Sequence, residues 1–365
     1  MLRKLFLSIF VCSTLVLNAQ KDSTRQYNIG FNTGYGFVLP HSPVINFLAN
    51  RHISQNEIYI EQQSFGKKAW QNRYSLPSIG ILISKFDLKN KKHIGQTYTF
   101  SPYLKFRLTK GNRFNLQFRP SIGLGYIEKP FEEDNNFKNS AIGSYINMFI
   151  SISINGNLKL HKYLSLNAAL NLSHLSNTGF KTPNLGFNML SASTGIKYSI
   201  GRTNAIRRFA EEKLEAQKAY WQINTSVGLN EINPPNGKKY LAKALFLSRE
   251  RKLNHKSTIG AGIDIFYNPA QRALLRQDST FIGKGDNVQI ALSVSHILHF
   301  GRLSFTGQIS YYLKTENKEL GNIYHVFGGR WAINERYNIL FLGKTHIDKA
   351  EYVMIGFGLK LGHEK

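Results

Sequence analysis

The stretch Gly111–Tyr126, GNRFNLQFRPSIGLGY, decides the fold. Phe114, Leu116, Phe118, Ile122 and Leu124 alternate with Asn115, Gln117, Arg119 and Ser121. Successive side chains on a strand point to opposite faces, so this segment has one apolar and one polar face. The same phase recurs in Tyr27-Ile29-Phe31 against Asn28-Gly30-Asn32, in Val288-Ile290-Leu292-Val294 against Gln289-Ser293-Ser295, and in Leu303-Phe305-Ile309-Tyr311 against Ser304-Thr306-Gln308-Ser310. Roughly sixteen such runs follow the N-terminal segment, many reaching the ~9–11 residues that a tilted membrane strand needs. Strands of a soluble sandwich are shorter, commonly about 5–6 residues. The expected fold is therefore all-β, an antiparallel transmembrane β-barrel.

Composition agrees with that reading. The 365 residues include 13% aromatics, 30 glycines and 18 tyrosines, with a mean hydropathy of −0.28. No segment after the N-terminus supplies the ~18 consecutive apolar residues of a membrane helix. The first twenty residues, MLRKLFLSIFVCSTLVLNAQ, carry Arg3 and Lys4, an apolar run from Leu5 to Leu17, and the small residue Ala19. That order predicts a secretory signal peptide over 1–20, cleaved near Ala19, and an exported mature chain. The single cysteine, Cys12, lies inside it, so disulfides and thiol chemistry are not expected. A formal net charge of +25 points to a polyanionic neighbour. For an exported barrel the expected neighbour is lipopolysaccharide rather than nucleic acid, and solvated lysines with no specific phosphate partner are an equal alternative.

The chain divides near residue 201. TNAIRRFAEEKLEAQKAY places Ile206, Phe209, Ala210 and Leu214 at helical spacing, so residues 202–219 read as a helical connector. About eight strand candidates lie on each side, giving two halves over 21–201 and 220–365. The halves resemble each other: GNRFNLQFRPSIGLGY pairs with FGRLSFTGQISYYL, and the segment after Leu172 with GKTHIDKAEYVMIGFGLKLG. One wide barrel and two barrel-like halves both remain open, and a homodimer is compatible with either.

Chemistry concentrates between Leu166 and Ile200, LNAALNLSHLSNTGFKTPNLGFNMLSASTGIKYSI. Leu166, Ala168, Leu170 and Leu172 form the apolar phase, and continuing it puts His174 and Ser176 on the same face. On the returning strand Asn188 shares the phase of Leu190, Ala192, Thr194 and Ile196. Polar groups facing hydrocarbon are expensive, so three of them around the loop 177–187 call for a functional explanation. A serine hydroxyl needs a base to take its proton and a third group to fix the imidazole tautomer. Ser176, His174 and Asn188 have the right chemistry, and Asn177, Asn184 or the amide near Gly179 could donate to an ester oxyanion.

The run H-L-S-N-T-G-F-K-T-P-N-L-G resembles the signature of the PagL-type lipid A 3-O-deacylases, small outer-membrane barrels, at His174, Ser176, Asn177, Gly179, Pro183, Asn184 and Gly186. The resemblance implies Ser176 as nucleophile, His174 as general base, an oxyanion site around Asn184 and Gly179, and lipid A as substrate in the outer membrane. It departs at Asn188, where the family has a glutamate; asparagine can orient an imidazole but brings no charge to an imidazolium. The second half repeats the theme with His346 in place of His174 and Asp348 in place of Ser176.

The expected activity is thus carboxylic ester hydrolysis of lipid A or a related lipid, with Lys181 available to a headgroup phosphate. No cofactor is implied, since Ser/His acyl transfer needs none. Glu132, Glu133 and Asp134 read as a solvated loop, and His161, His255, His296 and His325 lack metal-ligand spacing. The competing readings are a non-catalytic barrel, either pore or structural protein, and a soluble periplasmic β-protein.

Overall fold

A computed structural model describes residues 26–201, 218–232, 235–277, 287–318, 321–346 and 349–362. The expected signal peptide and residues 202–217 of the expected connector lie outside them. The eight strands β1 (Tyr27–Leu39), β2 (His52–Gln63), β3 (Ser78–Asp87), β4 (Gln96–Arg107), β5 (Phe114–Ile127), β6 (Ile146–Lys159), β7 (Leu164–Ser176) and β8 (Phe187–Ile200) form one closed antiparallel barrel. A second is built from β9 (Tyr220–Glu231), β10 (Lys239–Asn254), β11 (Ser257–Tyr267), β12 (Val288–Phe300), β13 (Leu303–Lys314), β14 (Ile323–Ala332), β15 (Tyr337–Thr345) and β16 (Ala350–Leu361). Short helices α1 (Pro43–Leu48), α2 (Ala69–Arg73) and α3 (Pro269–Gln277) lie in connecting loops.

Of the two architectures open to the sequence, the protein adopts two eight-stranded barrels. The deciding contacts are the closing ladders. β1 pairs with β8 from Tyr27↔Ile200 to Leu39↔Asn188, and β9 pairs with β16 from Trp221↔Leu361 to Gly228↔Met354. Closure leaves no free edge, which alternating strands of this length require in hydrocarbon.

The alternation read from Gly111–Tyr126 is inverted relative to a soluble protein. Ile122, Leu124 and Tyr126 point outward and are 40%, 58% and 40% exposed, while Asn115, Gln117, Arg119 and Ser121 are buried in the interior. Large apolar side chains cover the outside of both barrels, from Phe31, Ile58 and Ile83 to Val294, Ile309 and Ile355. Such a continuous belt is unfavourable in water and suits a hydrocarbon environment. No helix among the described residues is long and apolar enough to cross a membrane.

Eight strands enclose little more room than side chains need, and paired side chains cross both interiors, while the lower end of the first barrel keeps a cavity of about 370 Å³ lined by Asn28, Glu61, Asn115 and Lys197. In the first barrel Arg119 binds Glu57 at 2.7 and 3.2 Å, and Lys105 pairs with Glu61, which also accepts from Tyr103 and Asn28. In the second, Asp264 accepts from Ser293, Gln308, Ser310 and Tyr324, and Arg330 pairs with Glu250 at 2.8 Å.

We call the end at which odd-numbered strands finish the upper rim. Inside the upper end of the first barrel an apolar plug forms from Val38, Ile45, Leu48, Ile53, Phe86, Phe149, Leu175, Phe187 and Met189. Helix α1 contributes Ile45 and Leu48; its N-cap Ser42 accepts from the Ile45 amide, and Pro43 begins it. Leu175 and Phe187 anchor the ends of β7 and β8 inward, so their neighbours His174, Ser176 and Asn188 are turned outward.

Candidate active site

Strand register assembles the site. His174 lies directly opposite Asn188 across β7–β8 and opposite Ile150 across β6–β7, while Leu39 of β1 continues the row beside Asn188. One row below, Ile152, Leu172, Leu190 and Phe37 form a wholly apolar cross-strand row on the same outer face. The polar row therefore borders directly on the apolar wall.

His174 Nδ1 is 2.7 Å from Asn188 Oδ1, and His174 Nε2 is 2.9 Å from Ser176 Oγ. Asn188 Nδ2 reaches His41 Nδ1 at 3.4 Å, and His41 Nε2 meets the Leu185 carbonyl at 3.2 Å. One proton assignment satisfies all four contacts. His41 Nε2–H donates to Leu185 O, its Nδ1 accepts from Asn188, Asn188 Oδ1 accepts from His174 Nδ1–H, and His174 Nε2 is left as acceptor for the Ser176 hydroxyl. That is the tautomer a general base needs.

His41 escaped the sequence reading because it lies in the β1–β2 loop, far from the signature. Its position is nevertheless well determined, since it directly precedes the capped start of α1 and follows β1, which is paired to β8.

The loop 177–186 closes over the pair, leaving Ser176 only 3% exposed. Asn177 holds the loop together: its amide donates to Asn184 Oδ1 at 2.8 Å and its side chain to the Lys181 carbonyl at 2.6 Å. Gly186 has φ +74°, and a Cβ there would lie 2.8 Å from Leu175 O, 3.0 Å from Ser176 Cβ and 3.1 Å from His174 Cε1. Only glycine permits that approach. The Gly186 amide donates to Ala141 O, and Asn184 bridges Ile142, so the loop rests on the β5–β6 connection.

The three expected oxyanion donors are placed differently from one another. Asn177 is committed to bonds within the loop. Asn184 accepts through Oδ1, which turns its Nδ2 into the donor end. Gly179, at φ +80°, packs against the second barrel, and its carbonyl accepts from Glu231 N at 2.9 Å.

The second barrel carries no copy of this arrangement among the described residues. His346 follows β15 in the inward phase of Leu340, Leu342 and Lys344, is 4% exposed, and stacks near Tyr312 and Tyr324. His174 faces outward, so the two histidines that align in sequence occupy opposite faces, and Asp348 lies outside the described residues. His296 does meet Ser257 at 2.5 Å, but at the lower rim, and among the described residues no group is found holding its second nitrogen. No cluster suited to a metal ion occurs among the described residues. In the acidic loop, Glu132 accepts from Tyr145 OH at 2.7 Å.

The chain can be compared with known proteins on this basis. The structure is similar to Neisserial surface protein A at 7% identity and TM-score 0.31, over 48% of this chain and 97% of that one. It also aligns with the translocator domain of the autotransporter NalP from Neisseria meningitidis at 10% identity and TM-score 0.22, over 98% and 97% of the two chains. A mutant porin of Rh. blastica aligns at 8% identity and TM-score 0.18, over 93% and 100%. Likenesses this remote bear on nothing beyond the alignment itself. No curated protein matches the chain in sequence. Two family profiles match: "Lipid A 3-O-deacylase (PagL)" over residues 57–197, which include His174, Ser176 and Asn188, and "Acyloxyacyl hydrolase, C-terminal domain" over residues 219–363. The two profiles together cover both barrels, and the chain belongs to the PagL-type lipid A 3-O-deacylase (acyloxyacyl hydrolase-like) family.

Proposed function

We propose that this protein is an outer-membrane esterase that removes the ester-linked 3-hydroxyacyl chain from the 3-position of lipid A. The observation that carries this reading is the Ser176–His174–Asn188 chain of hydrogen bonds on the outward face of a barrel, at 2.9 and 2.7 Å, within the segment matched by a deacylase family. A substrate held in a leaflet must be met from the side, and a site on the inner face could not reach it.

Ser176 Oγ attacks the acyl carbonyl as His174 Nε2 takes its proton. The tetrahedral oxyanion is met by Asn184 Nδ2 and the Gly179 amide. Collapse breaks the ester C–O bond, His174 returns the proton to the departing sugar hydroxyl, and a water activated by His174 then hydrolyses the acyl-serine. The released chain lies along Leu172, Leu190, Ile152 and Phe37. With a periplasmic N-terminus, β7 runs outward, so the upper rim lies at the outer leaflet where lipid A resides.

Asn188 favours a second reading, a non-catalytic barrel of the same family, because it brings no charge to the imidazolium. The apolar plug at the upper end of the first barrel and the ion pairs Arg119–Glu57 and Arg330–Glu250 across the two interiors argue against a pore in either case. The two readings separate in one experiment: mass spectrometry of lipid A incubated with the purified protein and with Ser176→Ala. Loss of one hydroxyacyl chain with the parent protein alone supports the esterase; intact lipid A with both, in several detergents, supports the non-catalytic barrel.

A further inference from the structure

Four groups at the upper rim of the second barrel grip the loop that covers Ser176. Glu231, at the end of β9, donates its amide to the Gly179 carbonyl at 2.9 Å. Its Oε1 accepts from the Thr182 amide at 3.2 Å, the Thr182 hydroxyl at 3.0 Å and the Asn236 amide at 3.0 Å. Lys239, at the start of β10, donates to the Phe180 carbonyl at 2.7 Å and covers the Phe180 ring at 3.4 Å from its centroid. The Glu351 carbonyl occupies the space that a Cβ on Gly179 would need. Gly179, Phe180 and Thr182 are thus held from outside their own barrel.

These contacts are anchored. The Glu351 side chain is held by Lys344 at 2.8 Å and by Asn268 and Gln271 at 3.2 and 3.1 Å, so its backbone is tied to the interior of the second barrel. The Glu231 side chain is 1% exposed, and its nearest cation, Lys239, lies at 3.8 Å. A carboxylate so buried depends on its hydrogen bonds for its stability there, and two of the three side-chain bonds come from Thr182 of the other barrel. The grip is therefore energetically directional: releasing the loop leaves the acid with only the Asn236 amide and Lys239.

Within the loop, strain would pass inward. Thr182 and Gly179 flank Lys181, whose carbonyl is bound by Asn177, and Asn177 is fixed to Asn184 directly after Ser176. A site needs its groups held to within a fraction of an ångström, and within its own barrel the hydrogen-bonded supports of this ten-residue loop, the β5–β6 connection and His41 on the Leu185 carbonyl, all lie at residues 184–186, leaving 178–182 to the second barrel.

We propose that the second barrel is a positioning element for the site on the first, with Glu231 and Lys239 as positioning residues that hold the loop 177–186 in its closed, donor-presenting form. This rests on the reading of Ser176, His174 and Asn184 given above. It assigns a role to the half of the chain in which no copy of the site occurs among the described residues.

The test uses the full-length protein and two readouts. Hydrogen exchange of the peptide spanning Gly179–Thr182 reads the grip itself, whether or not the protein hydrolyses lipid A. Glu231→Ala and Lys239→Ala should speed that exchange tenfold or more, with both barrels still folded by their heat-modifiable gel mobility; Glu231→Gln, which keeps the acceptor oxygen, should restore protection to within about threefold. The second readout is lipid A deacylation, where Glu231→Ala should lower kcat tenfold or more with KM within twofold, again rescued by Glu231→Gln. Unchanged protection in the alanine variants refutes the grip, and faster exchange with unchanged kcat refutes its role in positioning. If the parent protein leaves lipid A intact, the esterase reading fails and the role in positioning catalysis falls with it, while the exchange result still decides whether the second barrel holds the loop.

Discussion

Replacing Asn188 by aspartate isolates a single physical effect. The two side chains have nearly the same shape, so Asn188→Asp keeps the 2.7 Å contact to His174 Nδ1 and adds only a charge. In Ser/His/Asp enzymes the reverse change lowers kcat about 10⁴-fold, largely because the asparagine stabilises the wrong imidazole tautomer. That component is absent here. Asn188 Nδ2 is directed at His41, which turns Oδ1 to His174 and leaves Nε2 free to accept from Ser176.

What remains is the attraction between a carboxylate and the imidazolium formed in the transition state. Unit charges about 4 Å apart attract by about 4 kcal/mol at an effective dielectric of about 20 and about 1 kcal/mol in water. Asn188 is half-buried, so about 2 kcal/mol is a fair value, equivalent to about a 30-fold rise in kcat at about 1.4 kcal/mol per tenfold. The new carboxylate loses the 3.4 Å donation to His41, a weak contact that His41 replaces with Nδ1–H only by giving up its bond to the Leu185 carbonyl. The assay is the initial rate of hydroxyacyl release from lipid A in mixed micelles, with Asn188→Ala as a control that loses orientation and falls below the parent. A folded Asn188→Asp variant that runs at or below the parent rate would refute the reasoning, since imidazolium stabilisation would then not limit the reaction.

Other perturbations follow from the same geometry. Gly186→Ala should lower kcat at least tenfold, because the φ of +74° disfavours alanine by about 1–2 kcal/mol and the new Cβ presses on both His174 and Ser176; parent-like rates would show that this close approach does not matter. Lys181→Ala should raise KM for lipid A about threefold to tenfold and leave KM for a dephosphorylated lipid A unchanged, whereas equal effects on both would exclude a phosphate contact. His346 should make the second barrel less stable in acid. Burial pushes its imidazole below the ordinary value of 6.5, with Glu351 opposing part of that shift. As pH falls, the unfolded chain takes up this proton first, so stability is full above 6.5 and declines below it until the folded-state value is passed. Denaturant unfolding at pH 8 and pH 5.5 checks this, and a His346→Gln variant with the same pH dependence as the parent would remove the histidine as its cause.

The sequence by itself determined the class of fold and the face of the site. Period-two alternation is a local property, because a strand's side chains take opposite directions whatever the strand pairs with. It therefore disclosed about sixteen strands and placed His174, Ser176 and Asn188 on the outward phase before any partner was known. The His-x-Ser run and the glycine and asparagines after it are likewise contiguous, so their resemblance to a family was legible.

Tertiary structure decided everything that depends on which strands meet. Two barrels rather than one follow from β8 closing on β1, a pairing between segments about 150 residues or more apart whose hydrogen bonds leave no local trace. His41 joins the site only through that closure. The face of His346 depends on where β15 ends and the turn begins, and alignment with His174 could not show that it points inward. Glu231 and Lys239 carry no signature at all: each is an ordinary charged residue beside a turn, and only the apposition of two rims sets them against the loop over Ser176. Local patterning fixes which way a side chain points; closure and packing fix what it meets.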